Sequence, residues 1–216
     1  MLLIRPPGVY RPQGDTELLL SCLHHERLDG ASRVLDLCTG TGAVALAAAH
    51  EGARVTAVDL SPKAVAATWL NARLRGLAIR LRRGDLLAPV PGGDYDLITA
   101  NPPYVPAPAA RRGHGRGLAW DAGPDGRLVL DRICREAPRR LARGGVLLVV
   151  QSSLADVPAT LAALVAAGLR TAVVARRRQA FGPVMTARAA LFEGLGLIAP
   201  GERQEELVVV RGVRER

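Results

Sequence analysis

The 216-residue sequence predicts an α/β fold, one doubly wound, mainly parallel seven-stranded sheet with an antiparallel last strand. Two observations carry this expectation. From Arg33 onward, short β-branched runs alternate with apolar segments of helical length, the pattern of strands joined by crossover helices. The last two strand-like runs are instead joined by a segment too rich in glycine and proline to demand a long helix, which suits an antiparallel closing strand.

In order, Thr16 to Leu28 reads as a helix because Leu18, Leu19, Cys22 and Leu23 recur at helical spacing, with Asp15 or Thr16 as N-cap. Arg33 to Leu37 is the first strand, Gly42 to His50 a helix and Arg54 to Val58 the second strand. Ser61 caps the next helix, Pro62 is preset for its first position, and the helix runs to about Arg75. Ile79 to Arg83 and Tyr95 to Ala100 supply the third and fourth strands. Leu128 to Leu141 is a helix, Val146 to Gln151 the fifth strand and Val157 to Ala167 a helix. Leu169 to Ala175 and Glu206 to Arg211 close the sheet, and Phe181 to Gln204 between them has room for one short helix near Ala187 to Phe192. Two stretches are loops by composition: Arg11 to Asp15, and Asn101 to Asp125, which has four prolines before Arg111 and four glycines after it. The second follows the carboxyl end of a strand, where open α/β sheets bind ligands.

One domain is expected over residues 1–216, with 1–30 as an N-terminal lid segment and helix and 31–216 as the sheet core. Apolar residues make up 49% and charged residues 23%, a globular balance without repeats. The apolar stretches are too short or broken to cross a bilayer, and the N-terminus meets Arg5, Pro6 and Pro7 too early for a secretory segment, so a cytoplasmic protein is expected. Cys22, Cys38 and Cys134 lack metal-site or disulfide spacing and are expected as small buried side chains, with no metal. All but one of the 29 basic residues are arginine, Lys63 being the exception, and the net charge of +9 makes a negatively charged partner such as a ribonucleoprotein or nucleic acid plausible.

Chemistry concentrates at the strand ends. In Asp36-Leu37-Cys38-Thr39-Gly40-Thr41-Gly42, the glycines let a ligand approach the backbone, and the N–H groups of Thr41, Gly42 and Ala43 can receive a carboxylate. Asp59, with Leu60 beside it, ends the second strand 19 residues after Gly40, where a carboxylate can accept from ribose hydroxyls. Asp85, followed by Leu86, ends the third, placed to accept from an adenine amine. Together they describe a nucleoside carrying a carboxylate tail. Gly40-Thr41-Gly42-Ala43-Val44-Ala45 also fits the dinucleotide pattern G-x-G-x-x-A, but Asp36 would repel a pyrophosphate and can instead meet an amino group. The ordered set Asp36, Gly40, Gly42, Asp59 and Asp85 resembles the class I, Rossmann-like methyltransferases, which implies S-adenosyl-L-methionine as cofactor.

The fourth strand runs into Asn101-Pro102-Pro103-Tyr104. A planar NH2 nitrogen is a poor nucleophile because its lone pair is delocalised. The Asn101 side-chain oxygen and the Pro102 carbonyl can accept its two N–H bonds, orienting it and feeding it electron density. The two prolines fix that carbonyl, and Tyr104 offers a flat face for stacking. In this position the tetrapeptide resembles the signature of methyltransferases acting on planar nitrogens, which leaves protein glutamine, adenine and guanine open as acceptors.

Flanking segments resemble a narrower family. Val9-Tyr10-Arg11-Pro12-Gln13-Gly14-Asp15-Thr16-Glu17-Leu18-Leu19 is similar to the opening V-Y-x-P-x-x-D-T-x-L-L of the short single-domain branch of the HemK/PrmC glutamine methyltransferases, and Trp120-Asp121-Ala122-Gly123-Pro124-Asp125-Gly126 to its W-x-G-G-x-x-G. The resemblance spans roughly Val9 to Leu169. It implies methylation of the glutamine in the Gly-Gly-Gln tripeptide of a translation release factor. By analogy Tyr10, Pro12, Asp15 and Thr16 line or cover the cofactor pocket, together with Asn101, while Trp120 and Gly126 shape the substrate loop. Three departures stand out: no counterpart of the separate N-terminal helical domain of the bacterial enzymes, Ala122 in place of the first glycine, and the long stretch Gln179 to Gln204 after Arg176-Arg177-Arg178. That triplet reads as a solvated strand end, or as a contact for RNA or for an activating subunit. The alternatives to a release factor are a nucleic-acid base, a small molecule, or a non-catalytic subunit that keeps the fold.

Overall fold

The computed structural model describes residues 2–107 and 119–215, so the middle of the Asn101–Asp125 loop lies outside the described residues. Helix α1 (Gly14–Leu23) is followed by β1 (Arg33–Leu37), α2 (Ala43–His50), β2 (Arg54–Asp59), α3 (Pro62–Arg73) and β3 (Ile79–Arg83). Then come β4 (Tyr95–Ala100), α4 (Leu130–Glu136), β5 (Leu141–Ser152), α5 (Val157–Ala166) and β6 (Leu169–Ala180). Two short helices, α6 (Pro183–Ala187) and α7 (Ala189–Gly194), precede β7 (Gln204–Arg214). The sheet has seven strands in the order β3-β2-β1-β4-β5-β7-β6. Strands β1 to β5 pair in parallel, and β7 inserts between β5 and β6, antiparallel to both.

Strands covered on both faces are buried along most of their length, and β1, β4 and the second half of β5 are. Leu35, Leu37, Leu97, Ile98 and Leu147 are fully buried. α2 packs against both α1 and α3, all three pack on the sheet, and α4 packs with α5. No helix among the described residues is long and apolar enough to cross a membrane.

Several element boundaries differ from the sequence expectation, each for a local reason. α1 starts at Gly14, so Asp15 and Thr16 sit in its first turn instead of capping it, and it stops at Leu23. α4 ends at Glu136, where Pro138, which has no N–H to give, turns the chain into a 3-10 helix over Ala137–Arg140. β5 begins five residues before the expected Val146, because a register shift opposite Tyr95 and Leu97 accommodates Gly144 and Gly145. β6 runs on to Ala180 and takes Arg176–Arg178 into the ladder opposite β7. Where one short helix was expected there are two, broken at Arg188.

Candidate active site

All five parallel strands from β1 to β5 end at the same edge of the sheet, and antiparallel β7 begins there. A cavity of about 360 Å³ opens at that edge. Among the described residues, six acidic side chains line it (Asp15, Asp36, Asp59, Asp85, Asp121 and Glu205) against two arginines, Arg5 and Arg11. In a chain of net charge +9 this local reversal favours a ligand bearing positive charge. Of the residues expected at the cofactor and substrate sites, Tyr10, Pro12, Asp15, Thr16, Asp36, Gly40, Asp59, Leu60, Asp85, Leu86, Asn101, Pro102, Pro103, Tyr104 and Trp120 all line this one cavity.

Gly42 does not line it. Its φ of 85° is in the left-handed region, a Cβ there would come within 2.7 Å of the Thr68 methyl, and its N–H is spent on the Thr39 carbonyl (2.8 Å). Gly42 therefore lets α2 start close against α3, while Thr41 and Ala43 are the neighbours that face the cavity. Gly40 differs: its φ is 58°, and a Cβ would meet nothing within 4 Å, so open space lies over its backbone. Thr68 donates to the Gly40 carbonyl (3.1 Å) and Asn71 to the Thr41 carbonyl (3.0 Å), bracing the loop from behind. Asn71 also exchanges two hydrogen bonds with the Ile4 backbone, which ties the N-terminal segment to the same loop.

Asp36 is buried, and its two oxygens accept from the hydroxyls of Thr39 (2.6 Å) and Thr99 (2.7 Å). Burial raises its pKa to about 6 against the opposing effect of the two hydroxyls. Among the described residues no cationic side chain pairs with it. Asp59 accepts from the Gly40 N–H (2.9 Å) and the Ser61 N–H (2.8 Å), and burial lifts its pKa as well. Asp85 lines the cavity with one oxygen engaged by Arg132 (2.8 Å). Thr41 Oγ1 is buried without a partner. Cys38 was expected to be buried; it is half-buried on the cavity wall with a φ of 58°, and Leu86 has a φ of 47°. Two side-chain-bearing residues thus sit in a left-handed conformation at the ligand edge, where such strain gathers.

At the other end a chain of side chains fixes Asn101. Asp15 is buried; its Oδ2 accepts from the hydroxyls of Tyr10 (2.8 Å) and Tyr104 (3.0 Å), and its Oδ1 from the Thr16 N–H and hydroxyl. Because the Thr16 hydroxyl gives its proton to Asp15, what it offers Asn101 is a lone pair. Asn101 Nδ2 donates to it at 3.2 Å, which leaves Asn101 Oδ1 for a ligand. Burial, with Asp15 second, holds the Tyr104 hydroxyl well above its ordinary pKa, so it remains a donor. The returning loop clamps the tetrapeptide: Val105 N–H donates to the Trp120 carbonyl (2.9 Å) and Ala122 N–H to the Val105 carbonyl (3.1 Å). Gly126, at a φ of 73°, packs so closely on the Tyr104 carbonyl that a Cβ would collide with it. Ala122, in place of a glycine, has no positive φ and fits without strain.

Sequence reasoning missed the C-terminal wall. Gly182, Pro183, Val184 and Met185 line the cavity, and so do Gln179 and Glu205. Arg188 clasps this wall to the loop after β4 through Asp121 (2.5 Å) and the Pro106 carbonyl (3.1 Å). The one signal available was the antiparallel last strand, which obliges the first residues of β7 to lie at the ligand edge.

The methyltransferase small domain family matches residues 3–118. A Methanocaldococcus jannaschii protein provisionally named a protein N5-glutamine methyltransferase is 36% identical over 186 residues, 85% of this chain and 92% of that one. A release factor glutamine methyltransferase from Moorella thermoacetica is 42% identical over 157 residues, 67% of this chain and 54% of its own length, so the chain spans about half of that longer relative. Among solved structures, the E. cuniculi Mtq2–Trm112 complex, described as responsible for methylation of the eRF1 translation termination factor, contains a chain similar in fold, with a TM-score of 0.65 at 24% identity, covering 96% of this chain and 99% of that one.

Proposed function

Because the chain belongs to the methyltransferase small domain family, whose members use S-adenosyl-L-methionine, we propose that its acceptor is the side-chain amide of a glutamine in a translation release factor. The observation that carries this reading is the orientation of Asn101, whose Nδ2 is held by Thr16 so that its oxygen is left to accept from a planar NH2 group. A carboxylate or hydroxyl acceptor would find no use for two adjacent hydrogen-bond acceptors.

The residues present suit the cofactor. Open space over Gly40 leaves room for its backbone-hugging part, Thr41 Oγ1 lacks a partner, and Asp36 lacks a cation that an amino group would supply. Asp59 would hold the ribose hydroxyls, while Asp85 and Leu86 would bound the adenine end. When bound, S-adenosyl-L-methionine supplies an electrophilic methyl group on a positively charged sulfur. Asn101 Oδ1 and the Pro102 carbonyl orient the amide nitrogen and draw its N–H bonds, Tyr104 supports the planar group, and Trp120 closes the substrate side. The carboxylates of Asp36, Asp59 and Asp85 favour the cationic donor before transfer.

Incubating the purified chain with labelled S-adenosyl-L-methionine and either a release factor or a tRNA and rRNA mixture tests the reading. Label in the release factor, lost when its Gly-Gly-Gln glutamine is changed to glutamate, is expected. Label in RNA alone would replace this reading with base methylation, the alternative that the +9 charge favours. The description of the E. cuniculi neighbour as a two-protein complex supports an activating subunit for this chain too. Turnover of the chain purified alone, compared with the chain isolated together with its cellular partners, measures that requirement.

A further inference from the structure

Among the described residues, Glu205 is the one acidic group on the cavity wall with a buried oxygen that lacks a hydrogen bond. The residue is 6% exposed; Oε1 accepts from Gln179 Nε2 at 3.0 Å, while Oε2 is enclosed without a partner. Asp15, its acidic neighbour, is by contrast saturated by Tyr10, Tyr104 and Thr16. An enclosed carboxylate oxygen is costly to leave without a donor, so its retention at a ligand wall points to a donor that arrives with the ligand. Burial raises the pKa of this carboxyl, Asp15 adds to the shift, and the nearby Ser152 hydroxyl and Gln179 amide oppose it. A hydrogen-bond donor from the ligand would relieve that situation.

The position of Glu205 decides which ligand. It stands at the start of β7, paired with Gln179 of β6, beside the wall formed by Pro183, Val184 and Met185. Asp36, Asp59 and Asp85 lie instead at the ends of β1, β2 and β3, on the far half of the sheet. A glutamine amide has two N–H bonds, and Asn101 Oδ1 and the Pro102 carbonyl already match both. Glu205 therefore needs a third donor, and an extended peptide carries one at every residue. We propose that Glu205 Oε2 accepts a main-chain N–H of the substrate peptide next to the target glutamine, making it a specificity-determining residue that reads the backbone on which the amide is carried. This rests on the glutamine reading above. It gives the Gln179–Gln204 segment a role as the substrate wall, with Arg188 holding it to the loop after β4.

The test is a paired substitution in enzyme and substrate. Glu205→Gln keeps the shape and removes the charge, and Glu205→Asp keeps the charge on a shorter stem. The substrate is a synthetic peptide containing the Gly-Gly-Gln tripeptide, and in three variants one main-chain amide flanking the glutamine is replaced by an ester, which deletes a single N–H. For the wild-type enzyme one ester peptide should lose about tenfold or more in kcat/KM, carried by KM. Glu205→Gln should show a similar loss on the all-amide peptide and no further loss on that ester peptide, with Glu205→Asp partly restored. Calorimetry with S-adenosyl-L-methionine should give wild-type affinity for both variants, which also establishes that they fold. The proposal is overturned if Glu205→Gln matches wild type on the all-amide peptide, if the enzyme and ester losses add independently, or if cofactor affinity falls with the charge. Failure of the glutamine reading looks different: wild type then labels neither release factor nor any peptide. If it labels guanine in RNA instead, whose adjacent ring and amine N–H groups would occupy the same acceptors, Glu205 reads a base and the peptide proposal falls.

Discussion

The hydroxyl of Thr16 does for Asn101 what no property of Asn101 itself can do. An asparagine amide can turn over, and only a neighbour with a single hydrogen-bonding role decides which end faces the cavity. Thr16→Val removes that neighbour while keeping the volume, so kcat should fall about tenfold or more with the cofactor dissociation constant unchanged. A variant with unaltered kcat would show that Asn101 needs no such guide. Asn101→Ala should abolish methyl transfer while calorimetry still finds nearly wild-type cofactor affinity. Asp59→Ala should do the reverse first, weakening cofactor binding, and equal affinity would remove the ribose from its assignment. At this scale the sequence was informative wherever a motif joins neighbours in the chain: Asp36 through Gly40 and Asn101 through Tyr104 both lie on the cavity. It was silent on Thr99, which meets Asp36 across 63 positions, because no local spacing encodes a bond between two strands.

Strands and helices were legible because each has its own period, and their ends were less so because ends are decided by contacts. The α4 helix stopped short at Pro138, a residue visible in the sequence, whereas β6 continued through three arginines because β7 lay beside it. The loop that clamps Tyr104 yields a prediction of the same kind. Gly126→Ala would push on the Tyr104 carbonyl, so the tetrapeptide must shift and the rate of transfer should drop by at least an order of magnitude. Single-turnover kinetics would separate this from a binding defect, and an unchanged chemical step would mean the loop yields elsewhere.

Over the whole molecule, the buried Asp36 makes stability depend on pH. Its folded-state pKa is near 6 and the ordinary value is 3.8, so between those values the folded protein keeps a proton that the unfolded chain has lost. Stability from this group is therefore present below about pH 4 and lost as the pH rises to about 6, a change of about 3 kcal/mol. Asp36→Asn should unfold several degrees higher than wild type at pH 7 and lose that advantage at pH 4. Parallel melting curves across this range would contradict it. Cofactor at a hundred times its dissociation constant should add about 2.7 kcal/mol, or roughly 5–10 °C in Tm.

The place of β7 also sets an order of events during synthesis. β6 is made first, yet among the described residues its only neighbour in the sheet is β7, which must enter between it and β5. A nascent chain that ends at Ala180 has the Asp36–Gly42 loop and the Asn-Pro-Pro-Tyr turn but leaves the β5 edge open and β6 unsupported. The strand that closes the sheet is also the one that brings Glu205 to the cavity. Closure of the sheet and closure of the cavity wall are thus one step, and a nascent chain that has not yet reached β7 lacks both.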